Sequence, residues 1–325
     1  LHHGSSPGGP PLAGGYVQQR KSPDARAFSL MVVFCFMLGL QQIALKAAAV
    51  DVAPILQIAI RSAIGAVLVW LYMRSQGESI QRHSGNWKPG LWVGLLFALE
   101  YLFLGEALRY TSASHAVVFL YTAPVFAALI LHFLIPSERM NRLQWLGIVL
   151  AFGGTAVAFL GKTPTSPDTD ATDILLGDAL AILAGASWGA TTVVIRTSRL
   201  ANVSPRETLL YQLVMAVLLL SVAALVSGQM AFNPTPVALS SIAFQSIVIA
   251  FAGFLIWFWL LRNYHASPIG IMSFMTPVFG VLLGVWLLHE PLDPGFVTGS
   301  IFVVAGVILV SGEGVVRKYL RRLTA

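Results

Sequence analysis

The feature that most restricts this chain is its division, between residues 28 and 315, into apolar blocks about 20 residues long separated by short polar breaks. Blocks of that length suit helices crossing about 30 Å of hydrocarbon, whereas a soluble core shows apolar stripes of period 3.6 or 2. Charged residues make up 10% of the chain and apolar residues 56%; a soluble domain carries roughly 25% charged residues. Water alone is therefore excluded as the solvent, and block length favours helices over a barrel.

The blocks read as ten helices, at Phe28 to Leu45, Ile55 to Met73, Leu91 to Leu108, Ala116 to Leu134 and Leu143 to Leu160, then Ile174 to Ile195, Thr208 to Leu225, Val237 to Leu261, Ile269 to Leu288 and Phe296 to Val315. Residues 1–18, LHHGSSPGGPPLAGGYVQ, hold no apolar run and read as a scar outside the fold, not as a signal peptide. A Pro, Thr and Asp-rich stretch, GKTPTSPDTDATD, begins at Gly161. The expected organisation is a first five-helix unit over 19–161, a linker over 162–173, a second unit over 174–316 and a basic tail over 317–325.

Assigning alternate loops to opposite sides tests the count, because Lys and Arg collect on the cytoplasmic side. One side holds Arg20, Lys21, Arg26, Arg74, Arg82, Lys88, Arg139, Arg142, Arg196, Arg199, Arg206, Arg262, Arg317, Lys318, Arg321 and Arg322. The other holds Lys46, Arg109 and Lys162, and Arg61 alone falls within a span. Both termini are expected in the cytoplasm. The net charge of +6 is thus explained by topology, and no nucleic-acid partner is expected. Cys35 is the only cysteine, which rules out an intrachain disulfide.

The halves resemble each other at an offset near 150 residues. Pro124 and Pro277, Ser114 and Ser267, and Arg109 and Arg262 are each 153 apart; Glu138 and Glu290, Gly147 and Gly299, and Gly154 and Gly306 are each 152 apart. Pro54 and Pro205 are 151 apart, and Gly39 with Lys46 matches Gly189 with Arg196 at 150. Five spans per half is odd, so the second copy enters the membrane from the opposite side. The fold class expected is an all-α polytopic membrane protein, ten transmembrane helices forming two inverted five-helix repeats around a central cavity.

The stretch ALRYTSASHAVVFLYTAPVFAALILHFLIPSERMNRLQWLGIVLAFGGTAVAFLG, Ala107 to Gly161, resembles the signature region of the drug/metabolite transporter superfamily, in particular its ten-helix EamA-type members. The second half repeats a weaker version ending in TPVFGVLLGVWLLHEPL. Within the family the chain is most similar to bacterial amino-acid exporters of the YddG type. Leu38 stands before Gly39 where many members have Trp, though Trp188 keeps that pattern in the second half.

Arg61 is a charge inside a span, costly enough to suggest function. Two readings are open: a guanidinium meeting a substrate carboxylate, or a structural arginine paired to a carbonyl or to Glu100, or snorkelling outward. Gln212 is its counterpart in the second half. Glu100, near the middle of the third helix, is a candidate proton-coupling group or a structural hydrogen-bonding group. Glu106 and Arg109 have the i, i+3 spacing of a local ion pair. Pro124 and Pro277 lie inside the fourth and ninth helices, where proline frees carbonyls and kinks the chain; with His115 they are the candidates for helix breaking and gating. By resemblance to the exporters' cavity, Tyr121, Trp188, Trp257 and Phe274 wall a central pocket. GASWG, GVLLG and GFVTG, from Gly185, Gly280 and Gly295, are spacings for close helix packing. Lys46 and Arg196 are expected to snorkel to head groups.

His115, His132 and His289 lack metal-ligand spacing, and HExxH, GxSxG and Walker loops are absent. No cofactor, no metal and no catalytic activity are expected. The function expected is secondary transport by alternating access, exporting amino acids or related small metabolites through a bacterial inner membrane, with the lipid bilayer, a small-molecule substrate and candidate coupling protons as partners. Export of drugs or nucleotide-type compounds, or a membrane scaffold or scramblase, are the alternatives.

Overall fold

The computed structural model describes residues 24–78, 85–136, 139–160, 171–264, 269 and 272–311. The expected scar and basic tail, most of the linker, Glu138 and Ser267 lie outside the described residues. Helices run as α1 (Ala25–Ala47), α2 (Pro54–Ser75), α3 (Trp87–Tyr110), α4 (Ala113–Leu120), α5 (Ala123–Leu134), α6 (Arg142–Leu160), α7 (Ala171–Thr197), α8 (Pro205–Val226), α9 (Pro236–Ala243), α10 (Phe254–Asn263), α11 (Met275–Leu288) and α12 (Pro294–Ser311). Among the described residues seven segments are long and apolar enough to cross a membrane: α1, α2, α3, Ala113–Leu134 through α4 and α5, Thr172–Thr197 in α7, α8, and Pro236–Trp257 through α9 into α10. Three shorter apolar helices, Arg142–Ala158, Met275–Leu288 and Pro294–Val310, accompany them.

Local sequence sets where these helices start. Pro54, Pro124, Pro205 and Pro236 occupy first-turn positions, where proline's missing N–H leaves nothing unpaired. Thr235 caps α9 by accepting from Ala238 N–H, and Ser112 caps α4 by accepting from His115 N–H. Asp24 caps α1; hydrogen bonds from Ala27 N–H at 2.8 Å and the Tyr264 hydroxyl at 2.9 Å hold its carboxyl below the usual value. That cap is complete above the usual carboxylate range and is lost as pH falls through the lowered value.

Contacts among the helix ends sort them onto two faces. Arg206 pairs with Glu78, Asp24 meets Tyr264 and Arg199 approaches Gly85 on one face, called here the basic face. On the far face Val52 bridges Phe232, Asp51 accepts from Thr235 Oγ1 at 2.6 Å, and Glu106 accepts from Gln229 Nε2 at 2.7 Å.

The surface carries many large apolar side chains, and the core, itself mostly apolar, encloses several polar groups. Trp70, Leu71, Trp92, Val149, Leu218, Leu225, Leu282 and Trp286 are exposed, while Gln41, Gln42, Gln57, Arg61, Glu100, Asp178 and Gln245 are buried. A soluble protein covers such a core with more polar side chains; hydrocarbon is the solvent this surface suits.

Glycines mark the closest seams. A Cβ on Gly147 of α6 would sit 2.7 Å from Gly306 O of α12, and one on Gly154 would sit 2.6 Å from Gly299 O. Replacing each residue by its counterpart in the other half turns the first contact into the second. The same exchange relates Gly39, packed on Phe279 and Gly280, to Gly189, packed on Phe126 and Ala127.

Three expected single spans are interrupted. The fourth breaks at Tyr121 and Thr122, two residues before Pro124; Ser273 and Phe274 form a turn before α11, three residues ahead of Pro277. The eighth contains a π-helical run, Phe244–Gly253, between α9 and α10, although its counterpart α3 is regular. Helix α7 starts at Ala171, three residues ahead of the expected helix start at Ile174.

Candidate functional site

The interruption at Tyr121 exposes the middle of the protein to side chains from several helices. Tyr121 is buried, meets Trp188 of α7 edge-on at 5.3 Å, and lies against Thr276 of α11 beside Cys35, Tyr101 and Glu100. Phe274, at the second interruption, is buried two residues from Thr276. The two breaks, one from each half, therefore lie together, and helix breaks are tolerated at membrane depth where they line a cavity or are covered by protein.

Arg61 reaches this region from α2. It is 3% exposed, its guanidinium lies 4.3 Å over the Tyr101 ring, and its Nε has no hydrogen-bond partner among the described residues. Tyr101 is held in turn by Phe97, edge-on at 4.8 Å. Buried Glu100 lies within electrostatic reach of Arg61 without forming an ion pair among the described residues. Of the structural roles open to Arg61 in the sequence, pairing to a carbonyl or to Glu100 is not what the geometry displays. A guanidinium offers five N–H donors, and a ring face satisfies charge without using them.

The register of α1 and α2 brings further polar groups level with it. Gln57 donates to Leu45 O at 3.1 Å and to Val52 O at 2.8 Å, so Arg61, one turn along α2, lies at the height of Gln41 and Gln42 on antiparallel α1. Gln41 Nε2, Gln42 Oε1 and Ser62 Oγ are buried and have no hydrogen-bond partner among the described residues. An unmet buried polar atom costs about 1–3 kcal/mol, which makes such a cluster a place where a polar ligand gains from binding.

The structure does not gather every expected residue here. Trp257 stacks on Phe34 at 5.5 Å in a separate cluster with Ala27, Met31 and Leu260, toward the basic face. Gln212 is half-buried on α8. Lys46 turns inward, donating to Leu108 O and, at 2.8 Å, to Thr111 O; the end of α3 has unpaired carbonyls that attract a cation more strongly than distant head groups do. Glu106 and Arg109 form the expected pair at 2.6 Å.

His115 belongs to a polar knot at the far face. Its Nδ1 lies 3.0 Å from both carboxylate oxygens of fully buried Asp178, and its ring stacks on Phe296 at 3.9 Å. Thr111 Oγ1 donates to the same carboxylate at 2.5 Å. Alongside, Glu290 accepts from Ala113 N at 2.7 Å, Ser114 N at 3.0 Å and Ser114 Oγ at 2.5 Å, capping α4. His289 adopts a left-handed backbone, φ 54°, and ends α11 so that Glu290 turns back toward α4. Asp178→Ala strips a partner from buried Thr111 and from half-buried His115, so unfolding free energy should fall by about 3 kcal/mol; Asp178→Asn, which still accepts from Thr111, should lose less. Thermal melting in detergent, followed by tryptophan fluorescence, measures both.

Sequence reasoning missed Tyr101 and Asp178. Asp178 carried the signal that flagged Arg61 and Glu100, an ionisable residue within an apolar block. Among the described residues no group of three or more His, Cys, Asp or Glu could hold a metal ion.

A polytopic helical protein with an apolar exterior, paired helix breaks and unmet polar groups at its centre has the features of a membrane transporter. The profile of the EamA-like transporter family matches residues 25–160 and again 175–312, and the chain belongs to that family. It is 26% identical over 273 residues to the uncharacterised transporter YoaV of Bacillus subtilis, covering 83% of this chain and 91% of the relative. An uncharacterised transporter of Archaeoglobus fulgidus is 29% identical over 225 residues, 68% of this chain and 73% of the relative. A solved crystal structure shares the fold, with a TM-score of 0.62 at 19% identity over 92% of this chain and 98% of the other.

Proposed function

We propose that this transporter exports amino acids or related small metabolites across a bacterial inner membrane by alternating access. In this reading all ten apolar segments cross the bilayer, five in each half, and the halves are threaded in opposite senses. The exchange of Gly147–Gly306 into Gly299–Gly154 supports that relation. The observation that carries the substrate class is buried Arg61, which faces Tyr101 and leaves donors available for a carboxylate. Tyr121, Trp188 and Phe274 supply apolar and aromatic surface for the remainder of the solute, and Glu100 is the candidate proton carrier.

Counterflow of labelled amino acids in proteoliposomes tests the class, with Trp188→Ala expected to weaken uptake several-fold through loss of an aromatic wall. Failure of every amino acid, beside uptake of a nucleotide-type or drug-like compound, would transfer the reading to those solutes. Glu100→Gln is expected to flatten the pH dependence of flux; profiles identical to the parent remove proton coupling through that carboxyl. Orientation is tested with impermeant maleimide on intact cells: in a Cys35→Ser background, Gln229→Cys is expected to label and Ser75→Cys to stay protected.

A further inference from the structure

Where α3 begins and α7 ends, on the basic face, a cavity of about 650 Å³ is lined by Gly85, Trp87, Lys88, Pro89, the Thr197–Ser198 pair and Arg199. Among the described lining residues two are cations and none is an acid. The nearby acid Glu78 is engaged by Arg206 and Ser204. Arg199 Nη1 lies 3.0 Å from where a Cβ on Gly85 would stand, so glycine there leaves the guanidinium room against the chain. Ser198 Oγ accepts from Leu200 N–H at 3.3 Å, which leaves its hydroxyl proton to donate elsewhere. Lys88, Arg199 and Ser198 together are a donor set for a phosphate ester.

The surface leading away from this cavity is apolar. Along α3, Leu91 follows Trp87 and Trp92 follows Lys88 by one helical turn, so each pair shares a face. Trp87, Leu91 and Trp92 are 54%, 48% and 60% exposed, and exposed tryptophan is characteristic of head-group depth. A soluble phosphate would use the cations and ignore this stripe, whereas a phospholipid uses both, with its headgroup in the cavity and its acyl chains along α3. We propose that the cavity seats the headgroup of an anionic phospholipid. The proposal rests on α3 and α7 crossing the bilayer but not on which solute the central site carries.

Native mass spectrometry of the full chain in detergent, titrated with phosphatidylglycerol, provides the test. The Lys88→Gln/Arg199→Gln double variant is expected to retain the tightest-held phosphatidylglycerol on the order of tenfold more weakly than the parent. Arg142→Gln, which removes a charge on the same face outside the cavity, should leave retention unchanged. Equal phosphatidylcholine binding by parent and double variant establishes that the fold is intact. Unchanged phosphatidylglycerol binding by the double variant overturns the site. Displacement of the lipid by equimolar glycerol phosphate overturns the lipid assignment in favour of a soluble phosphate ester.

Discussion

Arg61→Met is expected to reduce amino-acid counterflow by about 10- to 150-fold while leaving the folded protein at least as stable. That range corresponds to the net loss of one hydrogen bond to a charged group, about 1.5–3 kcal/mol, from a carboxylate held by this guanidinium. Stability moves the other way because Arg61 is buried with its Nε unpartnered among the described residues and with the Tyr101 ring, not an ion pair, against its charge. Taking a cation out of water costs several kcal/mol unless it is paired, and methionine fills similar volume without that penalty. Arg61→Lys should fall between, since a compact ammonium keeps the charge but neither stacks on a ring nor grips a carboxylate with two parallel bonds. Arg109→Ala is the control, its side chain being 44% exposed in a local pair with Glu106; exposed pairs contribute about 0–1 kcal/mol. Unchanged transport by Arg61→Met ends the proposed role, and a melting temperature that drops with transport would make Arg61 a structural residue instead.

That opposition between stability and function explains which parts of the protein were legible in its sequence. Block length and composition report the solvent, so the apolar segments and the two repeats could be read directly. Arg61 and Glu100 stood out because charge in hydrocarbon is rare. Partner choice is different, because it depends on which helices meet. Lys46 has the same local sequence whether it reaches head groups or turns in to the carbonyls of α3. Trp257 has the same local sequence whether it walls a cavity or stacks on Phe34. The interruptions at Tyr121 and Phe274 were signalled by Pro124 and Pro277, but the π-helical run in the eighth span has no proline within it. Insertions of that kind leave hydrophobicity unchanged and so leave no trace in a hydropathy pattern.

Gly306→Leu is expected to abolish the folded protein, while Gly153→Ala should be neutral or stabilising by up to about 1 kcal/mol. A Cβ at 306 would stand 2.5 Å from Ala151 N and 3.0 Å from Ala151 Cα, with Gly147 O also in contact. All three are backbone atoms, so no rotamer change relieves the clash. Overpacking a core usually costs about 1–3 kcal/mol because side chains can shift; here α6 and α12 must separate along a seam that buries Ile148, Ala151, Val303 and Val307. A Cβ at 153 meets nothing within 4 Å, so only the gain in helix propensity remains. Gly154 is the counterpart of Gly306, and its Cβ would sit 2.7 Å from Val303 N. Detergent size-exclusion profiles should therefore fail alike for Gly154→Leu and Gly306→Leu and stay monodisperse for Gly153→Ala. Failure of one member of the pair alone would mean that the halves do not share this seam equally. If both fail, the α6–α12 contact has no slack for sliding, and the alternating access proposed above would have to come from the broken helices around Tyr121 and Phe274.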